Sequence, residues 1–357
     1  MPEKTFPFSL TKEKKDNYLT QELTKLTLYH REHCRYYRKM TDAIGFDPAA
    51  IRHYADLPYL PVTLFKELRL SSLPEEEADY KTVTSSGTSS QKRSQIILDA
   101  DTRTQQQIAL TKIGSSFLGG RRMPYLVIDC PSTIHSRNNF SARTSGIIGF
   151  SIFGTHRTFA LRDDMSLDLE AVRNFLEQYG GSRFLIFGFT FMVWEYFLRV
   201  LEKENIRLDC SNAILLHGGG WKKMQDKAVS KAEYKDRLQK ACGISHVLEY
   251  YGMAEQTGSI FFECECGHLH CSDYSGILFR RPEDFSLCGI GEPGLIQVMS
   301  LLPKSYPGHN LLTEDEGRLL GVDDCPCGRA GEYFEVIGRV RNAELRGCSD
   351  TYEAIGS

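Results

Sequence analysis

The stretch AILLHGGGW, residues 213–221, decides how this chain is read. Ala213–Leu216 is an apolar run too short for a helix and suited to a buried strand. Gly218, Gly219 and Gly220 follow it. Without a β-carbon they let a ligand approach the backbone, although alone they read equally as a flexible strand-to-helix turn. Working outward, the same punctuation recurs. Upstream lie a strand at Tyr125–Asp129 and an amphipathic helix at Leu167–Tyr179, ended by Gly180-Gly181. A strand at Phe184–Phe187 then breaks at Gly188 into a helix reaching about Glu204. Downstream come a helix near Lys227–Cys242 and a strand at His246–Tyr250. Apolar strands alternating with helices predict a parallel α/β architecture.

The flanks differ. Residues 10–40 read as helical, with Leu19, Leu23, Leu26 and Tyr29 on one face. Residues 57–67 carry two prolines and read as extended. A strand is expected at Ser94–Leu98 and a helix at Thr102–Leu118. Beyond residue 260 short strands, prolines and turns predict a β-rich subdomain, so the expected division is 1–260 and 261–357. The 357 residues exceed one ordinary core, since cores split beyond about 250–300 residues. A formal net charge of −3 gives no basic face for nucleic acid. The longest apolar run, Phe184–Trp194, is too short to span a bilayer, which takes about 20 residues. The N-terminus lacks the apolar core of a secretory signal. A cytoplasmic protein is expected.

Two further segments flank the glycine turn. TVTSSGTSSQKRS, residues 82–94, surrounds one glycine with hydroxyls and places Lys92 and Arg93 close behind. Such a loop offers N–H groups, hydroxyls and positive charge to phosphate oxygens. It lacks the Gly-Lys-Ser/Thr ending of a P-loop. EYYGMAEQTG, residues 249–258, sets an aromatic that can stack on a base ahead of a carboxylate that can meet a metal. Turns beyond the carboxyl ends of strands can share one crevice, so the three together say more than each alone.

In this order and spacing the three segments resemble those of the adenylate-forming ligases. Within them the chain is most similar to the acyl-protein synthetases of the LuxE type, and more distantly to phenylacetate–CoA ligases. The likeness is most specific in RRPEDFS (280–286), SYPGHNLLTEDEG (305–317), CPCGR (325–329) and GRVRNAELRGCSDTY (338–352). It implies an adenylate-forming large domain with a small β-rich subdomain and without a full C-terminal domain. It also implies roles. Ser85, Ser86, Gly87, Thr88 and Ser89 match the phosphate loop, and Gly218, Gly219 and Gly220 the strip beside adenine. Tyr251, followed by Gly252, matches the aromatic that stacks on adenine. Glu255 matches the carboxylate that helps hold magnesium, Asp315 the acid on the ribose hydroxyls, and Arg339 the arginine that closes the nucleotide site. ATP and Mg2+ follow as cofactors, with a carboxylic acid, by resemblance a fatty acid, as substrate.

Departures from the family pattern are visible. Ser90 stands where the phosphate loop has glycine, and Arg93 where it has lysine. Arg341 and Asn342 replace the acidic hinge of acyl–CoA ligases, and the domain carrying their catalytic lysine is expected to be missing. That favours an acyl-protein synthetase, which parks the acyl group on its own cysteine before handing it to a partner such as an acyl reductase. Cys348, in RGCSD, matches the acylated cysteine. An acid–CoA or acid–carrier-protein ligase is the alternative, and a non-catalytic, zinc-stabilised nucleotide-binding module a second. Gly188, Phe189, Phe191 and residues 141–154 are candidates for lining an acyl pocket.

Eleven cysteines are present, an odd and high number. Cys34, Cys130, Cys210 and Cys242 stand singly and read as small buried hydrophobes. FECECGHLHC (262–271) and CPCGR (325–329) instead offer close thiolate and imidazole pairs from two segments, as tetrahedral zinc prefers. The expected ligands come from Cys264, Cys266, His270, Cys271, Cys325 and Cys327, for a structural rather than a catalytic ion. His309 is a lone histidine that reads as a structural or pocket residue.

Overall fold

The computed structural model describes residues 6–74, 79–84, 94–135, 142–221 and 227–340. Ser85–Ser89 and Cys348 lie outside the described residues. The chain forms two compact units, Met1–Ile113 with Gly252–Ser357, and Gly114–Tyr251. This division departs from the expected boundary near residue 260, because the N-terminal helix finds its partners in the last third of the chain.

Helix α1 (Lys12–His33) buries Lys15, Leu19, Leu23, Thr27 and His30. Leu26 and Tyr29, expected on that face, are only partly buried. The stripe is rotated toward two residues that read as polar from sequence. Leu19 and Leu23 pack with Tyr54, Leu57 and Met299, each leucine contributing about 1.5–3 kcal/mol by burial. Cys34 takes an extended conformation and separates α1 from α2 (Arg35–Ala43), so the helical region is broken. The expected extended segment 57–67 is extended only in part. Leu60 and Pro61 run parallel to Leu311 and Leu312, and Leu64–Glu67 forms a helical turn. Strands β1 (Tyr80–Thr84) and β2 (Gln95–Asp99) pair antiparallel with Thr84 opposite Gln95, so the serine-rich loop connects two paired strands. Helix α3 (Ala100–Leu118) follows.

The second unit is an open parallel sheet. Its strands are β3 (Met123–Val127), β4 (Gly154–Phe159), β5 (Phe184–Phe189), β6 (Ala213–Gly218) and β7 (His246–Tyr251), in spatial order β4-β3-β5-β6-β7. Every residue of β5 and β6 is buried, which explains their continuous apolar character. Helix α4 (Leu169–Tyr179) starts where the Asp168 side chain accepts from Ala171 N at 3.1 Å. Helix α5 (Lys231–Cys242) starts at the Ser230 cap, later than expected, because the Ser230 hydroxyl accepts from Glu233 N at 3.1 Å. Phe175, Phe184, Trp194, Phe197, Tyr234 and Leu238 share one core. Cys210 and Cys242 are buried here, as Cys34 is in the first unit.

The chain returns to the first unit as an antiparallel sheet. Strands β8 (Leu269–His270), β9 (Ser275–Arg280), β10 (Gly294–Ser300), β11 (Asn310–Val322) and β12 (Glu332–Arg339) lie in the order β8-β12-β11-β10-β9. Lys15 of α1, fully buried, donates to Glu332 of β12 at 2.7 Å and to the Cys271 carbonyl at 3.1 Å.

His30 and His309 stack at 4.8 Å, both buried. The Pro303 carbonyl 3.0 Å from His30 Nε2 accepts its proton, so Nδ1 accepts from the Ser72 hydroxyl at 2.7 Å. His309 Nε2 meets the Thr27 hydroxyl at 2.9 Å. Burial pushes His30 down to about 3, and burial and His30 hold His309 well below its ordinary value. Both imidazoles are neutral when folded and gain protons when unfolded below about pH 6.5. Stability is therefore complete above that value and falls as pH drops, by up to about 1.4 kcal/mol per pH unit for each ring. Urea unfolding at pH 7.5 and pH 5 should show this slope, reduced in His309→Gln. Equal stability at the two pH values would contradict it.

Candidate functional site

In the second unit the glycine turn leaves the carboxyl end of β6. Gly219 has φ +79°, and a β-carbon there would sit 2.4 Å from the Phe189 ring. Conformation and space both demand glycine, and Gly219 and Gly220 are exposed, so their backbone is open to a ligand. Two residues that sequence reading passed over position this turn. The Thr190 hydroxyl, at the end of β5, donates to the Gly218 carbonyl at 3.1 Å and meets His217 Nδ1 at 3.0 Å. Tyr251 ends the adjacent strand β7 and is partly buried, with Gly252 exposed beside it.

The strand order reverses between β3 and β5, where open α/β sheets bind ligands. Just past β3, buried Asp129 receives Arg143 Nε at 2.9 Å, the Thr133 hydroxyl at 2.6 Å and Cys130 N at 2.7 Å. The sequence signal was a carboxylate closing an apolar strand, read there only as the strand's last residue. Gly188, Phe189 and the helical residues Ala142–Phe150 adjoin this end, where aromatic rings pack closely. Phe150 lies 5.0 Å from Phe187 and 4.9 Å from Tyr250. A cavity of about 240 Å³ lined by Arg122, Tyr125, Ser151, Gly154, Thr155, His156 and Arg157 opens at the amino ends of β3 and β4. It is at the opposite end of the sheet from the glycine turn.

In the first unit Glu255 is 7% exposed, yet no described side chain pairs with its carboxylate. Its backbone carbonyl accepts from the Tyr306 hydroxyl at 2.8 Å, and the Gln256 amide donates to Val298 and Gly308 carbonyls at 3.0 and 2.8 Å. The segment is thus rigidly held while its carboxylate stays available. A buried carboxylate without a cation is costly, so an oxygen-ligated cation such as Mg2+ fits here. Asp315 and Arg339 face one another across β11 and β12. Arg339 is largely exposed and binds Glu314 at 2.6 Å, so it reaches a neighbouring carboxylate.

Also in the first unit, Cys264, His270, Cys325 and Cys327 bring their ligand atoms within 4.8 Å of one another. The other two expected ligands stand apart. Cys266 is exposed, and the Cys271 thiol turns to the Ser275 carbonyl at 3.3 Å, with burial raising it to about 11. His270 lies on β8 and Cys271 just past its end, and sequence alone did not say which of the two neighbours meets the other ligands. His309 lies in the histidine stack and not in this group.

A chain that builds an open parallel sheet with a glycine turn at its carboxyl ends, and an antiparallel sheet, is similar in fold to the adenylate-forming ligases. The chain aligns over 96% of its length with 80% of 2-hydroxyisobutyryl-CoA ligase in an open conformation, with TM-score 0.71 and 16% identity. The thioesterification state of that ligase gives TM-score 0.68 at 17% identity, covering 92% of this chain and 69% of that one. The family model "Acyl-protein synthetase, LuxE" matches residues 4–355, and the chain belongs to that family. It is similar to the long-chain-fatty-acid–luciferin-component ligase of Vibrio harveyi, 23% identical over 343 residues, covering 93% of this chain and 86% of that protein. The corresponding ligase of Aliivibrio fischeri is 21% identical over 301 residues, covering 82% and 77%. No helix among the described residues is long and apolar enough to cross a membrane.

Proposed function

We propose that this enzyme activates a long-chain fatty acid with ATP, moves the acyl group to the thiol of Cys348, and passes it to a partner acyl reductase. The observation that carries the reading is the buried Glu255 carboxylate without a described partner, in a chain of the acyl-protein synthetase family. The substrate follows the names of the Vibrio harveyi and Aliivibrio fischeri relatives. A carboxylate oxygen attacks the α-phosphorus, the bond to the β,γ-phosphates breaks, and pyrophosphate leaves. The Cys348 thiolate then attacks the acyl carbon, and AMP leaves as the thioester forms.

Glu255 would hold Mg2+, which neutralises charge on the phosphates. Gly219 and Gly220 offer exposed backbone beside the base, with Tyr251 stacking on it. Asp315 would take the ribose hydroxyls, and Arg339 would exchange Glu314 for the nucleotide on closure. Ser85–Ser89 would hold the phosphates. The thiols among the described residues are free, which suits a reducing cytoplasm.

The experiment is acid-dependent exchange of labelled pyrophosphate into ATP over fatty acids of graded length, followed by trapping of acyl-protein without CoA. Exchange with long-chain acids and a hydroxylamine-labile acyl group on Cys348 are expected. Cys348→Ser should keep exchange and lose the label. No exchange with any acid would overturn the activation step. Label on another cysteine, or transfer only to CoA, would overturn the acceptor.

A further inference from the structure

We propose that Cys264, His270, Cys325 and Cys327 bind one structural zinc ion, and that this ion latches the N-terminal segment to the antiparallel sheet. The distances suit tetrahedral zinc. With Zn–S of about 2.3 Å and Zn–N of about 2.0–2.1 Å, tetrahedral edges run about 3.8 Å between sulfurs and about 3.6 Å between sulfur and nitrogen. Cys264 and Cys325 sulfurs stand 3.9 Å apart, and Cys327 Sγ stands 3.3 Å from His270 Nε2.

The backbone gives a second, independent sign. Both ligand segments read Cys-x-Cys-Gly and fold into the same turn. Gly267 N donates to the Cys264 carbonyl at 2.9 Å and Gly328 N to the Cys325 carbonyl at 3.0 Å. Both glycines are left-handed, at φ +81° and +79°. In the second turn both cysteines enter the cluster. In the first, Cys266 is exposed and His270 supplies the fourth ligand from β8. Cys266 N approaches the Cys264 sulfur at 3.4 Å, and His268 Nδ1 the Cys325 sulfur at 3.3 Å. N–H groups so placed can support thiolates from outside the ligand set. All four tetrahedral positions come from the protein, so no position is left for substrate and the ion is structural.

What the ion would tie together is also visible. His270 lies on β8, which pairs with β12, and Cys325 and Cys327 lie between β11 and β12. The Phe8 ring meets the His270 ring edge-on at 6.2 Å, under the Arg329 guanidinium at 5.9 Å. Ala330 N donates to the Phe8 carbonyl at 3.1 Å, and Asp273 N to the Pro7 carbonyl at 2.7 Å. The segment leading into α1 therefore rests on the residues the ion would fix.

The test uses the full chain, produced without a metal-binding tag. One zinc per chain is expected by elemental analysis. Cobalt replacing it should give the intense thiolate-to-metal absorption of a three-sulfur tetrahedral site. Cys264→Ser, Cys325→Ser and Cys327→Ser should lose the metal, while Cys266→Ser and Cys271→Ser keep it. Removing zinc with a strong chelator should speed amide exchange in 6–15, 262–272 and 323–334, and leave 184–250 unchanged. If the cysteine variants fail to fold, cobalt absorption of the parent still decides the ligand set. Parent protein free of transition metal and giving no thiolate band with cobalt would overturn the proposal. So would loss of metal in Cys266→Ser with retention in Cys264→Ser. Unchanged exchange in 6–15 after zinc removal would overturn the latch.

Discussion

Glu255→Gln should lower acid-dependent pyrophosphate exchange by about 10²–10³-fold while the protein stays folded. The substitution keeps the side-chain shape and leaves the Tyr306 contact intact, because that bond uses the backbone carbonyl. What it removes is the negative charge of a buried group with no described partner. Replacing that charge with a neutral amide would weaken the proposed magnesium ligand without touching the acid or the base. The magnesium concentration needed for half-maximal exchange should therefore rise along with the fall in rate. Folding is checked by circular dichroism and by the urea midpoint. Parental exchange at low magnesium would remove Glu255 from the site.

The largest stability effect is expected in the first unit, at Lys15 and Glu332. Both are buried and joined at 2.7 Å. Breaking a buried ion pair from one side strands the other charge and costs about 3–5 kcal/mol, whereas replacing both with apolar groups is often neutral. The two single variants should differ. In Lys15→Met, Glu332 keeps Lys12 at 3.4 Å and the Tyr54 hydroxyl at 3.3 Å. In Glu332→Leu, Lys15 keeps the Cys271 carbonyl at 3.1 Å but loses its paired carboxylate. Glu332→Leu is therefore the more damaging, and the double variant should recover much of the loss. Urea unfolding of the three variants gives the coupling energy directly. Additive losses in the double variant would show that the pair is not what joins α1 to β12.

The second unit was largely legible because its strands carry their own signal. Buried parallel strands are apolar throughout, so 184–187 and 213–216 stood out, with the glycine turn marking the carboxyl end of the second, whereas 246–250 is buried only at Val247 and Leu248. Helix starts were less legible, since Ser230 as a cap is a local hydrogen bond that periodicity does not contain. The Asp129–Arg143 pair was missed because it joins a strand end to a helix across an unrelated stretch of chain.

The sequence by itself determined the alternation of strand and helix, the glycine turn, the family likeness and the clustering of thiols. Those depend on residue type and spacing, which act locally. Only the tertiary structure decided which face of α1 is buried, since Lys15 and His30 go inside solely because Glu332, Ser72 and the Pro303 carbonyl are there to receive them. It also decided which four of six candidate ligands converge. The pairing of β8 with β12 places His270 among the thiols, while Cys271, just past the end of β8, turns its thiol to the Ser275 carbonyl.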